Sequence, residues 1–130
     1  MSNGGHRPEI PTKRPAHFVG TSLSDLRKLP EDVQDVFGKC ILKAQWGGKS
    51  QNAEPLKVFT GSGVLEIREE YEGNTYRTVY TTRMPKAIYV LHVFLKKSAH
   101  GIKTAPKDMA VIGARLKIAE RDYANRYPKE

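Results

Sequence analysis

A chain of 130 residues falls within the usual size of one domain and is long enough to bury a hydrophobic core. Apolar residues make up 38% and charged residues 28%, and no run approaches the roughly 18 apolar residues of a membrane helix, so we expect no membrane partner. Lysine and arginine total 22 against 14 aspartate and glutamate, and the net charge of +8 predicts a polyanionic partner: RNA, DNA or an acidic protein.

The N-terminal segment differs in composition from the rest. Residues 1–15 are rich in proline and glycine with few apolar side chains, which predicts a disordered basic tail. This segment lacks the apolar middle of a signal peptide, and Cys40 has no second cysteine to pair with, so we expect a cytoplasmic protein. We place a single domain at residues 16–124 and a short C-terminal tail at 125–130.

Two helices are predicted next, after a short extended segment at residues 17–19. A helix is indicated over residues 22–29, which Pro30 interrupts. Hydroxyl residues precede an acidic residue at its start, and leucines then recur at every third position. Pro30 and the acids after it suit the start of a second, amphipathic helix over residues 31–46, which two glycines end.

From residue 56 the apolar pattern changes to a period of two. Alternation over residues 64–69 predicts a half-buried strand, and β-branched and aromatic residues over 75–81 predict its hairpin partner. The almost unbroken apolar run over residues 87–95 predicts a central strand covered on both faces.

A last helix is predicted over residues 106–122, with Thr104 as its cap and Pro106 in its first turn. The order of elements predicts an α+β fold, in which two N-terminal helices and a C-terminal helix pack against an antiparallel sheet of three to four strands.

The familiar catalytic motifs of nucleotide-binding and nucleophile-dependent enzymes are absent. The four histidines, at positions 6, 17, 92 and 100, do not show the spacing of metal ligands, so we expect no metal and no cofactor.

Cations recur on neighbouring predicted strands. Because such strands lie about 4.8 Å apart, long basic side chains on them can converge. A polar ring of His92 and Tyr80 would join that cluster. The alternative is structural: Arg68 pairs with Glu66 or Glu70 on a solvated face, and His92 and Tyr80 belong to the core. The cations in question are Arg68, Arg77, Lys96 and Lys97.

The segment Leu91-His92-Val93-Phe94-Leu95-Lys96-Lys97-Ser98 is the most specific stretch of the chain, and five further segments accompany it in collinear order. These are residues 18–27, 29–33, 64–68, 76–80 and 101–104. Together, over residues 16–123, they resemble the phage-derived HigB-type branch of the RelE toxin superfamily. The resemblance implies a RelE-like fold and a ribosome-dependent mRNA endonuclease, the toxin of a type II toxin–antitoxin pair.

The same resemblance implies two partners, mRNA on the ribosome and a helix-turn-helix antitoxin protein; it leaves the oligomeric state open. Metal-independent RNA cleavage requires removal of the 2′-OH proton, stabilisation of a phosphorane-like transition state and protonation of the leaving 5′-oxygen.

Roles follow from the resemblance residue by residue. Arg68 and Lys97 are the first choices for stabilising phosphate charge, while a crowded lysine and His92 remain alternative general bases. The predicted catalytic residues are Arg68, Lys97, His92 and Lys96. The predicted RNA-binding residues are Arg77, Tyr80, Lys57 and Lys103.

A second interpretation belongs to a different class of protein. The same fold and charge also suit a non-catalytic basic module that binds RNA, DNA or a protein. The C-terminal segment offers Tyr123, on the buried stripe of the last helix, and Tyr127, in the tail, and we assign neither to catalysis.

Overall fold

The structure, a computed structural model, describes residues 12–96 and 104–129. Within them lie five strands, three helices and one 3-10 turn at Lys57–Phe59. In chain order the helices and strands are β1 (Ala16–Phe18), α1 (Ser22–Arg27), α2 (Glu31–Gln45), β2 (Glu54–Pro55), β3 (Val64–Tyr71), β4 (Asn74–Thr81), β5 (Ile88–Lys96) and α3 (Pro106–Arg126).

The strands form one mixed sheet in the order β1-β5-β4-β3-β2, with β1 parallel to β5 and the other pairs antiparallel. The α+β class is confirmed, but the expected antiparallel sheet of three to four strands is wrong. Strands β1 and β2 have three and two residues, too few to show a period of two, and the direction of β1 depends on a strand far along the chain.

Strand β5 is an interior strand whose residues from Ile88 to Val93 are all buried, which confirms the prediction of a strand covered on both faces, although β4 is the middle strand of the five. On one face α2 supplies Phe37 and Ile41 to a cluster with β5, and on the other face α3 supplies Ile112 and Leu116 to a second cluster. The helices therefore cover both faces of the sheet.

The helix boundaries differ from the prediction at two ends. Helix α1 stops at Arg27 rather than residue 29, because Pro30 disfavours a helical conformation of the residue before it. Helix α3 continues to Arg126, past both the expected end and the domain boundary placed at residue 124. None of the helices in the described ranges is both long and apolar enough to cross a membrane.

Arg14, which the prediction assigned to the N-terminal tail, is anchored to the fold. Its guanidinium donates hydrogen bonds to the carbonyls of Thr82 at 3.2 Å, Met84 at 3.0 Å and Ala44 at 3.1 Å. One side chain thus joins the end of α2 to the turn between β4 and β5. The part of the predicted tail at residues 1–11 lies outside the described residues.

Leu91→Ala should lower the free energy of unfolding by about 2 to 5 kcal/mol, because Leu91 is 0% exposed and its removal leaves a cavity between the sheet and α3. Urea denaturation followed by circular dichroism measures this loss. The matched control is Ile118→Ala on α3, where the side chain is 49% exposed and the expected change is within about 0.5 kcal/mol. Equal losses in the two variants would contradict the assignment of the core.

Candidate active site

The register of β3, β4 and β5 aligns polar side chains in three rows across the sheet face that packs on α3. Side chains two apart on a strand point to the same face, so all three rows share it. From β3 through β4 to β5, the rows are Glu66–Val79–His92, Arg68–Arg77–Phe94 and Glu70–Thr75–Lys96. We call the group Arg68, Arg77, His92 and Lys96 the cation face.

A buried carboxylate, Glu66, binds both arginines of the cation face. Its Oε1 atom lies 3.1 Å from Arg77 Nη1 and 3.2 Å from Arg68 Nε. The Glu66 and Arg77 side chains are each 2% exposed, whereas that of Arg68 is 35% exposed and also lies 3.4 Å from Glu54 Oε2. Arg77 is therefore held inside the fold, and Arg68 is the arginine that faces solvent.

The segment that leads into α3 is tied to the same carboxylate. The Thr104 hydroxyl donates to Glu66 Oε2 at 2.7 Å, and Arg77 Nη1 donates to the Thr104 hydroxyl oxygen at 3.4 Å. Thr104 is therefore not the helix cap that the sequence predicts, since Ala105 occupies that position. The donors around Glu66 satisfy a charge that burial would otherwise make costly.

The side chain of His92, on β5, points to the first turn of α3. Its Nε2 is 2.8 Å from Oδ1 of Asp108, and its ring stacks on Phe94 with centroids 4.4 Å apart. Arg115 Nη1 lies 3.5 Å from His92 Nδ1 and donates to the Leu91 carbonyl at 3.0 Å. These contacts hold the imidazole in one orientation, as proton transfer requires.

The predicted lysines are placed differently from one another. Lys96 ends β5 on the cation face and is partly exposed, whereas Lys57 is exposed on the 3-10 turn and outside the three rows. Lys97 and Lys103 lie outside the described residues. Within the described ranges, no group of three His, Cys, Asp or Glu residues is arranged to hold a metal ion.

Tyr80 lies on the opposite face of the sheet from the cation face. It is 0% exposed in the cluster that includes Phe37 and Ile41 of α2, and burial raises the pKa of its phenol to about 12. The expectation that Tyr80 converges with the cations is therefore not met. Arg77 and Tyr80 are three positions apart on β4, and a period of two places them on opposite faces.

The cation face brings together groups that can bind a phosphodiester and move a proton. The partly exposed guanidinium of Arg68 suits phosphate oxygens, and the oriented imidazole of His92 suits proton transfer. Lys96 adds a further cation on the same face. Arg68 lies on β3 and the other two residues lie on β5, and β4 separates these strands. Adjacent strands are about 4.8 Å apart.

Comparison with protein-family models places this face within a known family. The model of the phage-derived protein Gp49-like family (DUF891) matches residues 24–117, which is more than half of the chain and includes the whole cation face. The chain belongs to this family.

The Gp49-like family is part of the RelE/ParE-like toxin–antitoxin group, so the resemblance found in the sequence is confirmed at that level. Membership of the HigB-type branch stays a prediction. Comparisons with curated proteins and with solved structures find no match.

Two residues of this Gp49-like site, Asp108 and Arg115, were not predicted from the sequence. The pairing of Glu66 with Arg68 was foreseen only as part of a solvated face, whereas Glu66 is buried. The spacing of Glu66 and Arg68, two residues apart on one strand, already places them on the same face. The contact of Asp108 with His92 depends on how α3 docks and leaves no local pattern.

A second polar cluster lies at the far end of α3, and all its members except Tyr89 fall outside residues 24–117, which the Gp49-like model matches. Tyr89 donates to Asp122 at 2.6 Å, and His17 Nε2 lies 2.9 Å from the Tyr127 hydroxyl. Hydrogen bonds from Arg126 and Tyr89 lower the pKa of Asp122. Burial, and then the charge of Arg126, lower the pKa of His17 below its usual 6.5. This cluster fastens the last turns of α3 to β1 and β5.

The shift of His17 predicts a pH dependence of stability. Since the pKa of His17 is lower in the folded chain than in the unfolded one, the unfolded chain binds more protons as the pH falls through about 6.5. Stability should therefore fall from about pH 7 to about pH 5, and His17→Gln should reduce that fall. Urea denaturation at the two pH values tests this, and an unchanged difference in His17→Gln would contradict it.

Glu66→Gln should destabilise the chain by about 3 to 5 kcal/mol, because it removes the carboxylate that pairs with the buried charge of Arg77 at 3.1 Å. Glu70→Gln, on the same strand but exposed, should change stability by no more than about 0.5 kcal/mol. The double variant Glu66→Leu with Arg77→Met removes both charges and should be more stable than Glu66→Gln. Chemical denaturation measures all three, and a Glu66→Gln variant as stable as Glu70→Gln would refute the buried ion pair.

Proposed function

We propose that this chain is the toxin of a type II toxin–antitoxin pair, of the HigB type, and that it cleaves mRNA on the ribosome. The observation that carries the proposal is the alignment of Arg68, His92 and Lys96 on one sheet face in a member of a RelE/ParE-like family. The fold proposed with it is RelE-like.

Cleavage proceeds by attack of the ribose 2′-oxygen on the adjacent phosphorus. The bond from phosphorus to the 5′-oxygen breaks, and the products are a 2′,3′-cyclic phosphate and a 5′-hydroxyl. A base takes the 2′-OH proton and an acid protonates the 5′-oxygen. His92, held by Asp108, fills one of these roles, and a lysine of the pair Lys96 and Lys97 fills the other.

Positive charge supplies the remaining part of the mechanism. Arg68 stabilises the charge that develops on the phosphorane oxygens. Lys97, which follows Lys96 in the sequence, shares this role. Arg77 supports Arg68 from within, since both bind Glu66. Lys57 and Lys103 contribute attraction to the RNA backbone. The small open site relies on the ribosome to align the 2′-oxygen with phosphorus.

Arg68→Ala and Lys97→Ala should each lower the rate of cleavage by about 100-fold or more, because the charge they supply matters most in the transition state. Primer extension of mRNA from a translating extract, with purified protein added, measures the rate. Lys117→Ala, exposed on α3 and outside the cation face, is the matched control and should retain cleavage. If folded Arg68→Ala and Lys97→Ala proteins cleave as fast as the parent chain, the active site is elsewhere or the chain is not a nuclease.

Cleavage should continue in preassembled ribosome complexes after free divalent cations are chelated, because arginine and lysine supply the positive charge at the phosphate. End-group analysis of the RNA should find a 2′,3′-cyclic phosphate. A rate that is restored only by adding zinc or manganese would contradict this mechanism.

One observation favours the alternative of a binding module without catalysis. His92 is buried and both its ring nitrogens lie near described partners, Nε2 at 2.8 Å from Asp108 and Nδ1 at 3.5 Å from Arg115, which suits a structural role more than proton transfer to RNA. Such a module binds ribosomes or RNA and leaves the RNA intact. Ribosome co-sedimentation without new RNA ends in the primer-extension assay would support it over the nuclease.

A further inference from the structure

A cleft at the C-terminal end of α2 has the features of a nucleotide-binding site. Its volume is 420 Å³, and its lining includes Lys13, Arg14, Gln45, Trp46 and Lys86. Lys86 precedes β5 and Lys96 ends it. At about 3.3 Å per residue along the strand, Lys86 is about 20 Å from His92 and about 30 Å from Lys96. The two sites are therefore separate.

The aromatic wall of the cleft is the only tryptophan of the chain. Trp46 caps the end of α2 and is 51% exposed. The chain turns away directly after it, because Gly47 adopts a positive φ of 87°, which glycine accepts without strain. Trp46 therefore lines the cleft with a half-exposed aromatic ring on which a planar group can stack.

The charge of the cleft is positive. Lys13 and Lys86 are both exposed, and neither is in an ion pair with a described residue. None of the described residues that line the cleft is acidic. The cleft therefore attracts anions, and it discriminates against a partner without negative charge.

The floor of the cleft is rigid. Besides the three carbonyl contacts of its guanidinium, the Arg14 main-chain N–H donates to the Gln45 carbonyl at 2.9 Å, and the Gln45 amide donates back to the Arg14 carbonyl at 2.9 Å. These bonds fix the segment that carries Lys13 against the helix end that carries Trp46. A ligand consequently meets a site that is already formed, and binding requires little further ordering.

We propose that this cleft binds one nucleotide of single-stranded RNA, with its base stacked on Trp46 and its phosphates held by Lys13 and Lys86. Stacking on an aromatic ring beside a cationic groove is the common way in which proteins hold single strands without reading their sequence. This inference rests on the proposed function, because both require that RNA is the substrate. It adds a second contact with the RNA, at the Trp46 cleft, far from the bond that is cut. Because α2 and the cation face lie on opposite sides of the sheet, RNA that occupies both sites passes around the sheet.

The single tryptophan makes the test direct. Fluorescence of Trp46 in the full chain is titrated with an oligoadenylate of about eight nucleotides and, in parallel, with inorganic polyphosphate. RNA should quench the emission, because a base stacks on the indole, whereas polyphosphate should bind the lysines with little quenching. Anisotropy of a labelled oligoadenylate then gives the affinity of the variants.

Trp46→Ala should weaken RNA binding about tenfold, in line with the loss of one stacked base. Leu42→Ala, one turn earlier on α2 and 44% exposed, lies outside the cleft lining and should leave the affinity unchanged. The double variant Lys13→Ala with Lys86→Ala should weaken binding and reduce its salt dependence. Arg68→Ala should keep the quenching even where it abolishes cleavage.

The outcomes separate this proposal from the nuclease. Quenching by RNA without any cleavage supports the cleft and overturns the nuclease, whereas cleavage without quenching, and with full affinity in Trp46→Ala, overturns the cleft. If Trp46 responds to an acidic amphipathic peptide and not to RNA, the cleft belongs to a protein partner and the proposal fails.

Discussion

The ion pair of Glu66 and Arg77 is the interaction on which the arrangement of the cation face depends. Arg68 and Arg77 are direct cross-strand neighbours, and like charges in that position repel. A carboxylate that both guanidiniums share turns this repulsion into a three-part network, and Thr104 extends the network to the segment before α3. Burial makes Glu66 the sensitive member of the network, since removing its carboxylate takes away the counter-charge that both arginines share. The position of Arg68 at the surface is thus determined from inside the fold.

The sheet register then determines which other groups join Arg68. Strand β5 brings His92 into the row of Glu66 and Lys96 into the row of Glu70, and α3 supplies Asp108 to hold the imidazole. At the opposite end of the same strand, Arg14 fastens the end of α2 to the turn between β4 and β5. Strand β5 therefore positions residues of the cation face and, at its start, the turn that contributes Lys86 to the cleft. A change in the packing of β5 is expected to affect both proposed RNA contacts.

The longer elements were predictable because their apolar periods extend over many residues. Helix α2 and strands β3, β4 and β5 lie close to the predicted ranges, whereas β1 and β2 are shorter than one clear repeat. Within the site, the separation of Arg77 from Tyr80 follows from a period of two and was available from the sequence. The position of His92 could not be read from the sequence in this way. The register shifts between Val79 and Tyr80, so that Leu91 has no partner on β4. This bulge moves His92 to the side of α3, where Asp108 lies, and no local pattern announces it.

The two edges of the described sheet are short. Strand β1 has three residues and β2 has two, one of which, Pro55, has no N–H to donate. So short an edge strand covers only part of its neighbour, because β2 pairs with Leu65 and Glu66 alone of the eight residues of β3. On that side, residues 67–71 of β3 have no strand partner within the described part of the chain, and their backbone groups can pair with a strand of a neighbouring polypeptide. Contact through backbone groups depends little on which side chains flank them, so the sequence along this edge can diverge while its capacity for pairing stays the same.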